Sequence, residues 1–207
     1  MARLLDPKCR QCRREGCKLF LKGEKCTTKK CPLERRPFVP GQHGQGRKRV
    51  TQYGTQLREK QKVKRAYGLL EKQFRSYYDE AERMKGVVGE NLLSLIERRL
   101  DNVVYRMGIG SSRAESRQIV NHGHITVNGH AVDIPSFIVK AGDVIAIKEN
   151  KKDLEMFKDL KGMKIVMPKW LEFNPNTLSG KILALPKRED IDMNISEHLI
   201  VELYSRS

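Results

Sequence analysis

The run from Ser112 to Ile147 restricts the fold more tightly than any other stretch of this chain. Ser112 followed three residues on by Glu115 is a capping box, so a helix begins there with Arg113 and Arg117 one turn apart on one face. Gly123 can take the left-handed conformation that ends such a helix. Ile125 and Val127 then alternate with polar neighbours up to Asn128-Gly129, the dipeptide best suited to the positive φ angles of a type I′ turn, and a hairpin is predicted. Phe137 to Val139 and Val144 to Ile147, joined through Ala141-Gly142-Asp143, read as two further short strands. Helix end and hairpin gather Arg113, Arg117, His122, His124 and Asn128 into a small polar surface, suited to binding and not to catalysis.

Helical periodicity dominates elsewhere. Leu92, Leu93, Ile96, Leu100, Val103, Val104 and Met107 form a wide apolar stripe that predicts one helix from Asn91 to Met107, with Arg98, Arg99 and Arg106 on its polar side. Its Arg99-Leu100-Asp101 matches a tripeptide that carries the catalytic aspartate in pseudouridine synthases. Here the tripeptide lies inside an amphipathic helix, and the chain has no room for the large mixed sheet of such an enzyme, so Asp101 reads as a structural salt-bridge or helix-face residue. Gln52 to Tyr67 is roughly helical, with Tyr53, Leu57, Val63 and Tyr67 as its core face. Arg58, Lys60, Lys62, Lys64 and Arg65 cover the rest with only Glu59 among them, a self-repelling face unless a polyanion lies alongside. Leu70 to Lys85 places Phe74, Tyr77, Tyr78, Ala81 and Met84 at helical spacing, a packing stripe. Further on, Trp170 and Leu171 suggest an apolar anchor and Gly180 to Leu185 a strand. Asn194 to Glu197 resembles a helix cap, followed by Leu199, Ile200, Leu203 and Tyr204.

Charge is concentrated at one end. Residues 1 to 65 hold 20 lysines and arginines against 5 acids, which is +15 of the chain's +16. Such localisation favours a polyanionic partner, because each phosphate neutralised releases condensed counterions. A membrane surface would also attract it, but no strongly apolar amphipathic helix accompanies the charge. The opening residues lack the apolar core of a signal peptide and no run approaches a membrane span, so the expected setting is cytoplasmic and reducing.

In that setting five cysteines point to metal, not disulfides. Cys9-x-x-Cys12 and Cys26-x4-Cys31 are two short-spaced pairs, and four thiolates around one structural Zn²⁺ would supply folding energy that so polar a segment cannot obtain by burial. Surrounding cations such as Arg10, Arg13, Arg14 and Lys25 are expected to lower the thiol pKa values. An iron–sulfur cluster takes the same donor set. Cys17 is the odd one and reads as a small packed hydrophobe.

Pro32 to Gly46 is rich in proline and glycine, a loop composition that resists helix and sheet. It reads as an extended arm carrying Arg35, Arg36 and His43 to Arg47-Lys48-Arg49, laid against RNA phosphates. His43 has no base or nucleophile close in sequence, and GQHGQG lacks the Gly-Lys-Ser/Thr of a P-loop.

Several of these stretches carry a resemblance. ERRLDNVVYRMG (97 to 108) with SRAESRQIV, HGHI and VNG is similar to the helix–helix–hairpin RNA-binding module of the S-four family of small-subunit ribosomal proteins. ERRPFVPGQHGQGR (34 to 47), LREKQ (57 to 61), YG (67 to 68), QFR (73 to 75) and LYSR (203 to 206) extend the likeness over nearly the whole chain. The resemblance implies a non-enzymatic primary binder of 16S rRNA at a junction of its 5′ domain, which nucleates assembly of the subunit body and contributes to translational accuracy. It also implies a neighbouring ribosomal protein S-five, a functional link to S-twelve, and messenger RNA near the entry path. Some family members carry the cysteine site and others lack it. An RNA-modifying enzyme, or a free-standing messenger RNA regulator sharing the module, is the alternative.

The expected architecture is α+β: a mostly helical N-terminal domain with a cysteine metal site, plus the small helix–helix–hairpin module. Residues 1–50 would hold the metal site and arm, 51–90 the helical domain, 91–155 the module, and 156–207 would pack back on the helices. Expected RNA contacts from the basic third are Arg13, Arg14, Arg35, Arg36, His43, Arg47, Lys48 and Arg49, then Arg58, Lys62 and Arg65. From the module they are Arg99 and the five residues of the polar surface above.

Overall fold

A computed structural model describes residues 4–46, 49–158, 160 and 167–205; Arg47, Lys48 and Arg206 lie outside the described residues. The chain forms two compact units, Met1–Leu92 with Met193–Ser207, and Leu93–Asp192.

In the first unit α1 (Lys8–Glu15) ends at Gly16, whose φ of 69° is the left-handed cap. The loop composition after Cys31 does not prevent a helical turn, α2 (Pro32–Arg35), because Pro32 stands at the first helical position, where its missing N–H is no loss. Residues 41–46 curl and do not extend: the Gly44 N–H donates to the Gly41 carbonyl at 3.2 Å and the Gly46 N–H to that of His43 at 3.2 Å. Thr51 caps α3 (Gln52–Ala66) by accepting from the Gly54 N–H. α4 (Glu71–Arg83) and the C-terminal α9 (Glu197–Ser205) complete the unit, with α9 lying along α3. Val63, Tyr67, Leu69, Phe74, Tyr78, Ile200 and Tyr204 are buried. Tyr53, expected in the core, is 62% exposed, and Met84 also faces out.

The basic face of α3 is matched inside the protein, which corrects the expectation that only a polyanion would relieve it. Glu15 from α1 receives Arg58 and Arg65, Glu71 from α4 receives Lys60 and Lys64, and Glu59 receives Lys62. Burial would raise the pKa of Glu71, but hydrogen bonds from Lys60, Lys64 and Tyr204 outweigh it and hold it at about 2, against an ordinary 4.5. A carboxyl lowered on folding contributes stability that is present above its unfolded pKa and lost as pH falls toward the folded one. Acid unfolding of this unit between pH 4.5 and 2 should therefore be shallower in Glu71→Gln than in wild type; identical pH slopes would contradict the assignment.

In the second unit the single helix expected over 91–107 is two: α5 (Val88–Glu97), which begins in the first unit, and α6 (Leu100–Arg106). Arg99 between them is extended, with φ −65° and ψ 136°. The cause is tertiary. The N–H groups opening α6 need acceptors, and the Phe137 and Pro135 carbonyls take those of Leu100 and Asp101 at 2.8 and 3.1 Å. Val139 donates to the Arg98 carbonyl at 3.0 Å, and Arg99 forms an isolated bridge with Ile138. Residues 137–139 thus serve a helix start and do not form the strand expected there.

α7 (Arg113–Asn121) is capped by Ser112, which accepts from the Glu115 N–H, while the Glu115 carboxylate returns to the Ser111 N–H and not to that of Ser112. β1 (Ile125–Val127) and β2 (His130–Ala131) turn at Asn128 and Gly129, with φ of 50° and 82°, the two positive values a type I′ turn demands. β3 (Val144–Ile147) pairs with β1. The hairpin is not the end of the sheet. β4 (Leu171–Asn174) and β5 (Ser179–Ile182) extend it to five antiparallel strands in the order β2-β1-β3-β5-β4. Leu171 and Phe173 face the core that holds Val103, Val104, Met107, Ile125 and Ile145, and Phe157 of α8 (Glu155–Lys158) joins them. Of the stretch expected to pack back on the helices, residues 193–207 alone belong to the first unit; 156–192 belong to the second.

Candidate RNA interface

Within the second unit, several cations expected to meet RNA are used internally. Arg99 is fully buried, and its Nε–H and Nη2–H donate to the two oxygens of Asp101 at 3.1 and 2.7 Å. Arg117 reaches the same carboxylate at 2.9 Å. Asp101, itself 5% exposed, is thus the counter-ion of two guanidiniums. Alongside it, Glu97 receives Arg106, Asn102 donates to Glu97, and Arg113 donates its Nε–H to the Asn102 Oδ1 at 2.8 Å while lying over the Tyr105 ring. Arg99 is therefore removed from the contact set. Arg113 and Arg117, half-buried on α7, fix that helix against α6. Asn128 likewise pins the turn, donating to Asp143 and accepting from the Val144 N–H, both at 2.9 Å.

What this surface does present is a cluster at the end of α7. His122 is exposed, and its ring lies 6.0 Å from that of His124, which packs edge-on against Phe157. The Lys148 N–H donates to the His124 carbonyl at 2.9 Å, so the lysine stands beside the imidazoles. Burial, His122, Lys151 and Lys148 all lower the His124 pKa, keeping that ring neutral near pH 7. Sequence reasoning missed Lys148 and Lys151. The pairing of Ile125 with Ile147 makes positions 124 and 148 neighbours, a relation implicit once both strands are assigned.

In the first unit Arg58 and Arg65 converge on Glu15, whose side chain is 1% exposed, and Lys62 is tied to Glu59 and to the Asn194 carbonyl. Arg13 is half-buried, donating its Nε–H to the Phe38 carbonyl at 3.0 Å. Arg14, Arg35, Arg36, His43 and Arg49 are exposed, as are Arg10, Lys22, Lys25, Lys29 and Lys30 around the cysteines. Within residues 1–65 the outward charge is therefore carried by α1, α2 and their loops and not by α3.

Cys9, Cys12, Cys26 and Cys31 line one cavity of about 10 Å³, and Cys17 is not in its wall. The Lys22 N–H donates to Cys26 Sγ at 3.4 Å. All five are free thiols, and among the described residues no three His, Cys, Asp or Glu side chains come close enough together to hold a metal ion. Burial pushes the Cys12 thiol up, and hydrogen bonding with the Leu19 backbone offsets part of this. That is opposite to the lowering expected from nearby cations, of which Arg10, Arg14 and Lys25 are exposed and screened.

Among the described residues no helix is long and apolar enough to cross a membrane. Residues 3–97 match the family described as ribosomal protein S4/S9 N-terminal domain, and residues 98–145 match the S4 domain. Over the full length of both chains, this one is 60% identical to small ribosomal subunit protein uS4 of Ruminiclostridium cellulolyticum. The corresponding value is 61% for the uS4 protein of Clostridioides difficile and 59% for that of a Thermoanaerobacter species, again with complete coverage of both chains.

Proposed function

We propose, since this chain belongs to the family of small ribosomal subunit protein uS4, that it is a structural component of the small ribosomal subunit, bound to 16S rRNA in the cytoplasm. Full-length likeness at about 60% identity is the observation that carries this reading. The mechanism is that of a cationic brace. Arginines and lysines on α1, α2 and their loops meet sugar–phosphate backbone and supply affinity. The rigid α6–α7–hairpin surface meets RNA by shape, since A-form major grooves are too narrow for side chains to read. Contact through both units engages more than one RNA helix of a junction, which directs assembly of the subunit body without turnover. In the 5′ domain this position would also border protein S-five and the messenger entry path and couple to accuracy through S-twelve.

The same reading includes one structural Zn²⁺, which Cys9, Cys12, Cys26 and Cys31 would hold by drawing closer together than the structure places them. These four thiols share a cavity in a segment where few apolar side chains besides Leu19 and Leu21 are buried. A bound zinc ion supplies folding energy there and no reaction chemistry.

Arg35→Ala with Arg36→Ala should weaken binding to small-subunit rRNA by about 1.5–3 kcal/mol per lost charged contact, with hydroxyl-radical protection of the RNA lost locally. Both side chains are exposed and make no ion pair among the described residues, so equal affinity of variant and wild type would move the interface elsewhere.

A further inference from the structure

We propose that the cleft between the end of α1 and residues 37–45 seats a single unpaired nucleobase of the bound RNA. This deepens the brace reading and rests on it. The cleft has a volume of about 520 Å³, within the range of small-ligand pockets. Its walls include Arg13, Arg14, Pro37, Phe38, Val39 and Gln45.

The cleft is built in advance. Arg13 fixes Phe38 twice, through the carbonyl bond and by placing its guanidinium 5.0 Å from the ring centroid. Gly44 closes the loop so tightly that a Cβ there would lie 1.8 Å from the Val39 carbonyl oxygen. No side chain fits, so the shape depends on that glycine.

Its chemistry selects a base over a phosphate. Phe38 with the Arg13 plane offers the mixed aromatic–guanidinium platform on which bases stack. The exposed Gln45 amide can donate to and accept from a base edge. Glu15, also in the wall, has its side chain buried and paired with Arg58 and Arg65, so it belongs to the floor that shapes the cleft and takes no part in contacting the base. Arg14, exposed at the rim, makes no ion pair among the described residues and is placed to meet the phosphate of the same nucleotide. An acidic or apolar peptide would leave these base-edge groups unmatched.

The test uses the full-length protein, a 16S rRNA transcript and ultraviolet crosslinking with mapping of the adduct on both molecules, alongside affinity measurements on Phe38→Leu and Gln45→Ala. Wild type should crosslink within residues 37–45 to one unpaired base. Phe38→Leu should abolish that adduct and weaken binding roughly five- to a hundredfold. Gln45→Ala, at an exposed side chain, should weaken it severalfold with the fold unchanged by circular dichroism, and it decides the matter if Phe38→Leu loosens the loop. The proposal is overturned if both variants bind within twofold of wild type, or if the adduct falls on a paired nucleotide or on a neighbouring protein in the assembled subunit. Should Arg35→Ala with Arg36→Ala still weaken binding in that case, the brace stands without the base seat. Failure of wild type to bind the transcript at all would overturn both.

Discussion

Asp101→Ala is expected to destabilise the second unit by about 3–5 kcal/mol, the cost of removing one partner from a buried ion pair. Two guanidiniums depend on this carboxylate, and Arg99 has no exposure through which water could replace it. The extended Arg99 that separates α5 from α6 is held through the same contact, so α6 and α7 should loosen together. Urea unfolding with hydrogen exchange across residues 93–192 measures the effect. The outcome also separates the brace from an RNA-modifying enzyme: a catalytic Asp101 would give a variant that folds normally and has lost turnover. Wild-type stability in Asp101→Ala would refute the structural role.

Cys26→Ser should remove bound zinc and unravel residues 17–35, leaving hydrogen-exchange protection of residues 93–192 unchanged. Apparent zinc binding energies in small cysteine sites are on the order of 10 kcal/mol, and most of that is folding energy. The Glu15 contacts with Arg58 and Arg65 should keep α1 partly docked on α3. Chelation of the wild-type protein should reproduce the variant. One metal equivalent retained by Cys26→Ser, with unaltered protection, would show that the donor set is wrong.

Much of this fold could be read from residue patterns because the deciding interactions were local. The Ser112 cap, the left-handed Gly123 and the Asn128-Gly129 turn are each set by a few neighbouring residues, and the structure contains all three. Misreadings arose where a distant partner prevailed. The stripe from Leu92 to Met107 is continuous in sequence, but the Pro135 and Phe137 carbonyls capture the N–H groups of α6 and interrupt the helix at Arg99. β4 was hidden because Leu171 and Phe173 give only two alternations, and its pairing with β5 depends on a turn at Leu178, which takes a φ of 53°. The site followed the same rule. Composition counts lysines and arginines as outward charge, whereas Glu15, Glu71, Asp101 and Glu97, which lie on other elements than these partners, take many of them inward. Among the described residues of 1–65, the cations left exposed lie on α1, α2 and adjoining loops, a narrower interface than the charge count of that third implied.

The salt dependence of binding tests the brace most directly. The affinity of the full-length protein for a 16S rRNA transcript should fall linearly on a logarithmic plot against salt concentration, with a slope of several units from 50 to 200 mM, corresponding to a loss of roughly three or more orders of magnitude. An affinity unchanged across that range would show that backbone phosphates are not what the basic third of this protein holds.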